Sequence, residues 1–164
     1  RHFGVSNQNP MMMELLKTAV KQPLKVNQLQ LSAAFTPSFE AGFHVNMEGP
    51  KAAVRDGSVF EYCRLTDTVI QAWSVLQHGY FKGNFVGKEE FAALNHVLTD
   101  LAKKYQVTPT AIALAWVLRY PGKMQSVIGT TKPQHVLEAG KAATVTLTRK
   151  EWYQIYLAAG NDLP

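Results

Sequence analysis

The chain has 164 residues, 46% hydrophobic and 18% charged, enough for one domain with a sizeable core and close to ordinary globular usage. No apolar run approaches the ~18 residues of a membrane span and no signal-peptide pattern heads the chain, so no membrane partner is expected. The net charge of +5 is dispersed, with Lys103-Lys104 and Arg149-Lys150 the only adjacent basic pairs; this argues against a nucleic-acid partner and for a small-anion site. The single cysteine, Cys63, excludes an internal disulfide and points to a reducing, cytoplasmic setting. It pairs with no base in the sequence, so it is expected to pack and not to act as a nucleophile.

In chain order, "RHFGVSN" reads as a short buried strand that stops on the polar pair Ser6-Asn7. Asn9 and Pro10 then open a helix in which Met12, Leu15, Leu16 and Ala19 recur at helical spacing. "LKVNQLQLS", Leu24 to Ser32, is a period-two strand, and residues 33–57, with five Gly and Pro positions, read as a long loop of the kind that is usually functional or disordered. "SVFEYCRL" is a short helix and "TVIQAWS" a third strand. After the glycine-bearing "VLQHGYFKGNFVG", the residues Leu94, Val97, Leu98, Leu101, Ala102 and Tyr105 make one apolar helical stripe. Thr108 and Pro109 open the next helix, Pro121-Gly122 ends it, and "QSVIG" is the fourth strand. Pro133 opens another helix. The last carries a capping box, Thr148 with Glu151, ahead of a stop at Gly160.

The order is therefore β-α-β-α-β-α-α-β-α-α. With no hairpin signal between strands, helical crossovers must join them, which predicts a parallel α/β sheet. Each strand ends on polar or small residues, as the active-site end of a barrel would, and no GxGxxG or GxxxxGK[ST] phosphate loop occurs. A (β/α)8 barrel takes eight strands and roughly 250 residues. Only four strands are legible here.

Four motifs resemble the aldo-keto reductases. "RHFGVSN" resembles the fifth barrel strand of that family, "VNQLQLS" the sixth, "IQAWSVLQHGYFKG" the seventh, and "VIGTTKPQHVLEA" the eighth with its following helix. "TPTAIALAWVLRYP" is similar to the helix between the last two, and "LTRKEWY" to endings in a bacterial branch. The resemblance runs in order over essentially the whole chain. It implies α/β architecture as the carboxy-terminal half of a (β/α)8 barrel, one domain over residues 1–164 beginning at strand five, as a fragment of a longer reductase.

The same resemblance implies an NADP-dependent oxidoreductase that reduces aldehydes or ketones, with NADPH preferred over NADH. The family's catalytic Tyr, Lys, Asp and His lie in the first half of its barrel, so no catalytic residue is expected here and the fragment alone should be inactive. His2, His44, His78 and His96 are accordingly given no catalytic role, and no metal is expected. Ser6, Asn7 and Gln28 match the residues that hold the nicotinamide carboxamide, which offers one acceptor and two donors. A strand tip ending in a turn is the plain structural alternative for Ser6-Asn7.

Trp73 matches the aromatic that stacks on the nicotinamide ring, in contrast to Trp116 and Trp152, which read as core. Ser74, Leu76 and Gly79 match the loop that passes the diphosphate, although Val75 and Gln77 depart from the family's usual Pro and Gly. Gly129, Thr130, Thr131, Lys132, His135 and Glu138 match cofactor positions in which hydroxyls, a lysine and a helix N-terminus form an anion site. An exposed turn lysine is the plain structural alternative for Lys132. His135 replaces a common Arg: it keeps a flat stacking face and gives up the permanent charge and bidentate fork, so a weaker NADPH preference is expected. Ala139 stands where some relatives have Asn.

A non-catalytic nucleotide-binding or sensor protein on the same scaffold is the alternative function, and an unrelated α/β interaction module the third. The expected partners are a small carbonyl substrate and either the missing amino-terminal half or a second copy, because a half-barrel leaves two strand edges open. Phe35, Phe39 and Phe43 suggest an apolar substrate rim, with a loop packing on itself as the equal alternative.

Overall fold

The computed structural model describes residues 2–38, 40, 58–79 and 82–162. Its four strands are β1 (Phe3–Ser6), β2 (Leu24–Gln30), β3 (Val69–Trp73) and β4 (Met124–Ser126). They form one sheet in the order β1-β2-β3-β4, and every pair is parallel. The helices are α1 (Pro10–Ala19), α2 (Val59–Leu65), α3 (Ala92–Tyr105), α4 (Pro109–Leu118), α5 (Pro133–Gly140) and α6 (Arg149–Ala158), with short 3-10 turns at Glu89–Phe91 and Lys141–Thr144. The element order is the one read from the sequence. Phe39 and Phe43 of the suggested rim, His44, and most of the 33–57 segment lie outside the described residues.

Local chemistry accounts for three of these helix starts. Asn9 accepts from the Met12 N–H, Thr108 from Ala111, and Thr148 forms the full capping box with Glu151. The α3 stripe buries Leu94, Leu98, Leu101 and Ala102. α4 is buried at every position from Ala111 to Val117, a helix enclosed on all sides. Between α4 and α6 the Trp116 and Trp152 rings stack at 4.8 Å, and each indole N–H donates to the other residue's carbonyl, at 3.0 and 3.1 Å. Both are core tryptophans, as the sequence suggested.

Leu29, Ile70 and Ala72 join this helix-packed core. Side chains alternate along a strand, so Gln28, Gln71 and Trp73 take the opposite face, which no helix among the described residues covers. At Gly4 an added Cβ would lie 3.0 Å from the Val26 Cβ across β1 and β2, a tight contact that favours glycine at this close strand approach.

Three expectations need correction. β1 is exposed, not buried, with Phe3 at 46%, because the strand is a sheet edge paired on one side only among the described residues. The apolar stripe of α1 likewise lies outward: Met12, Leu15 and Leu16 are exposed, and it is Met13 that packs inward, its sulfur accepting from Asn27 Nδ2 at 3.5 Å. β4 is shorter than "QSVIG" and starts one residue earlier. One ladder bond extends it at each end, Ile70 N–H to Lys123 O and Val127 N–H to Ala72 O, both at 2.8 Å, and its outer edge also lacks a described partner.

Candidate cofactor site

In a parallel sheet all carboxyl ends share one rim, so the polar strand ends converge there. A cavity of about 650 Å³ opens between the ends of β3 and β4, the loop after β3, α4 and α5. Trp73, Ser74, Leu76, Gly129, Thr130, His135 and Glu138, all expected site residues, line it, together with Ala139. Its volume lies within the usual range of cofactor and small-molecule sites.

The wall on the β3 side is a folded-back loop. Ser74 takes a left-handed backbone with φ of 52°, uncommon for a residue other than glycine, and its carbonyl accepts from the Gln77 N–H at 2.8 Å. Leu76 O accepts from the Phe85 N–H at 3.0 Å, which closes the loop over the cavity. Gln77 lines the cavity, and its Oε1 is buried with no hydrogen-bond partner among the described residues. Gly79 lies outside the lining and is buried against Lys82, whose Cδ would be 2.9 Å from an added Cβ.

The opposite wall is the start of α5. Unlike α1, α4 and α6, this helix has no side-chain cap, and like α1 and α4 it has no acidic residue in its first turn. Pro133 carries no N–H, and the His135 N–H donates to the Lys132 carbonyl at 3.0 Å, so the first turn is largely satisfied from within. Thr130 Oγ1 is 3.4 Å from His135 Nδ1 and accepts from the Lys132 N–H at 3.2 Å, which folds the Thr130–His135 turn into one unit. Thr131 and Lys132 are exposed and do not line the cavity.

Ser6, Asn7 and Gln28 form a second group, outside the cavity lining, at the ends of β1 and β2. The Ser6 hydroxyl and the Asn7 N–H both donate to the Gln28 carbonyl, at 3.1 and 3.0 Å, and Asn7 turns the chain with a left-handed φ of 54°. Asn and Ser at these two left-handed strand exits are the kind of local strain that collects at functional sites.

Several lining residues escaped the sequence reading: Asn84, Val86, Thr110, Leu114, Val127 and Ile128. Leu114 belongs to a wholly buried helix and gives no sequence signal of a cavity. Cys63 is fully buried on α2, and burial raises its thiol to about 11 against the weaker lowering effect of the Asn27 side chain. A thiol so placed is inert at neutral pH. Among the described residues no helix is long and apolar enough to cross a membrane, and no cluster of His, Cys, Asp and Glu could hold a metal.

The pattern of the Aldo/keto reductase family matches residues 1–158, and the chain belongs to that family. It is 32% identical to a 6-dehydroglucose reductase of Agrobacterium fabrum over 162 residues, covering 98% of this chain and 47% of that protein. It is 30% identical to the oxidoreductase YdhF of Escherichia coli, covering the whole chain and 49% of the relative. The chain thus spans about half the length of these curated relatives. Among solved structures, an aldo-keto reductase complexed with NADPH superposes with a TM-score of 0.66 at 18% identity, covering 96% of this chain and 42% of the other. That likeness establishes the fold. The four parallel strands and their helices correspond to about half of an aldo-keto reductase barrel.

Proposed function

We propose that this chain is the carboxy-terminal, cofactor-binding half of an NADP-dependent aldo-keto reductase that reduces aldehydes or ketones, NADPH being preferred over NADH. The observation that carries the proposal is the cavity between Trp73 and the Thr130–His135 turn that leads into α5, which pairs an aromatic face with a hydroxyl and an imidazole. NADPH supplies the hydride when bound. The residues present suit its parts. Trp73 offers a flat face to the nicotinamide ring, and Ser6, Asn7 and Gln28 offer polar groups to its carboxamide. Ser74, Leu76 and Gly79 pass the diphosphate. Gly129, Thr130, Thr131, Lys132, His135 and Glu138 take the adenosine end and its 2′-phosphate.

The general acid that protonates the carbonyl oxygen lies, on this reading, in the other half of the barrel. The chain then works in the cytoplasm as part of a complete barrel, made with its amino-terminal half or, failing that, with a second copy. The edges at β1 and β4, which pair with no further strand among the described residues, support such pairing. The test is a fluorescence titration of the protein, as its organism makes it, with NADPH and NADH. Tighter NADPH binding accompanied by carbonyl reduction is expected. Binding without reduction would shift the reading to a nucleotide sensor, and no binding of either would end it.

A further inference from the structure

The uncovered face of the sheet carries a row of side-chain amides that the cofactor cavity does not include. The strand registers align Ser6 with Gln28, Gln28 with Gln71, and Gln71 with Gln125, one residue from each strand. Gln28 Nε2 donates to Gln71 Oε1 at 3.4 Å, and Gln71 Nε2 donates to Gln125 Oε1 at 2.9 Å. The row therefore has a direction, in which Gln28 and Gln71 each donate a hydrogen bond to the amide on the next strand.

We propose that Gln71 is a positioning residue for the nicotinamide carboxamide, acting through Gln28; the inference rests on the cofactor reading above. An amide can present either its oxygen or its nitrogen to a ligand. Because Gln71 engages the Gln28 nitrogen, the Gln28 oxygen is the end left to accept from a ligand, and among the described residues it accepts from none. A carboxamide offers N–H donors to such an acceptor. The Gln28 backbone is fixed at the same point, since its carbonyl accepts from both Ser6 and Asn7. A glutamine side chain loses substantial rotamer freedom when held, and Gln71 removes that freedom before the cofactor arrives. Trp73 lies two residues beyond Gln71 on the same face of β3, so one strand sets both the stacking ring and the amide support.

The test compares NADPH with 2′,5′-ADP, which shares the adenosine and 2′-phosphate end but lacks the nicotinamide, on the protein as its organism makes it. Gln71→Leu should weaken NADPH about tenfold, the worth of one well-placed hydrogen bond. Binding of 2′,5′-ADP should be unchanged, which also certifies the fold. Gln71→Glu keeps the oxygen that accepts from Gln28 and should retain most NADPH affinity. In a Gln28→Leu background, Gln71→Leu should have no further effect.

Unchanged NADPH binding in Gln71→Leu overturns the proposal while leaving the cofactor reading intact. Equal weakening of both ligands reduces Gln71 to a structural residue, and equal damage from Leu and Glu reverses the direction of the row. A wild-type protein that binds no NADPH overturns both readings together.

Discussion

The two walls that meet at α4 are built on opposite principles. On one side α3, α4 and α6 close over Trp116, Trp152, Ile155 and Tyr156, with indole and cap groups paired inside the protein. On the other, the ends of β3 and β4 and the start of α5 leave Ser74 and Thr130, an imidazole and an indole along a cavity. The first region gains stability from satisfied, buried contacts. The second withholds contacts that a ligand can complete, as binding loops on a rigid scaffold do.

Substitutions can break this contrast, the largest effect first. Trp152→Ala removes a stacked, doubly hydrogen-bonded ring from the helical layer and should cost about 3–5 kcal/mol in urea unfolding. A loss below about 1 kcal/mol would show that the layer is not the stable region claimed here.

Acid should act on the same layer. Burial raises the Glu151 carboxyl, but hydrogen bonds from Lys104, from the Thr148 backbone and hydroxyl, and from Tyr105 outweigh it and hold the group at about 2, below its ordinary 4.5. The unfolded chain therefore takes up this proton first. The stabilisation is complete above about 4.5 and is lost as pH falls toward about 2. Discounted for the exposed Lys104, it amounts to about 1–2 kcal/mol. Glu151→Gln should flatten that part of the stability–pH curve, and an unaltered curve would assign the acid sensitivity elsewhere.

The site wall should respond in binding rather than in stability. Trp73→Ala is expected to weaken NADPH about tenfold, through loss of the ring face, with a much smaller loss of stability than Trp152→Ala. Equal stability losses would make Trp73 one more core tryptophan. His135→Arg should tighten NADPH a few-fold and leave NADH unchanged, by adding a permanent charge and a bidentate fork beside Thr130. No gain would remove His135 from the 2′-phosphate.

Much of this was legible before any coordinates. The order of elements, the caps at Asn9, Thr108 and Thr148, and the α3 stripe follow from residues within a few positions of one another. The polar strand ends that line the cavity were legible too, as were their family motifs. The exposed stripe of α1 was not, because spacing specifies an apolar face but not what covers it. Nor was the shortening of β4, whose length depends on partners at both edges.

By itself, then, the sequence determined what local interactions determine: which segments coil, where they start and stop, and that the strands must run parallel. The tertiary structure alone decided which residues stand side by side. Glutamines at positions 71 and 125 are unremarked in a linear reading, and only the strand register, in which a slip of one residue sends every side chain to the other face, sets them in one row with Gln28.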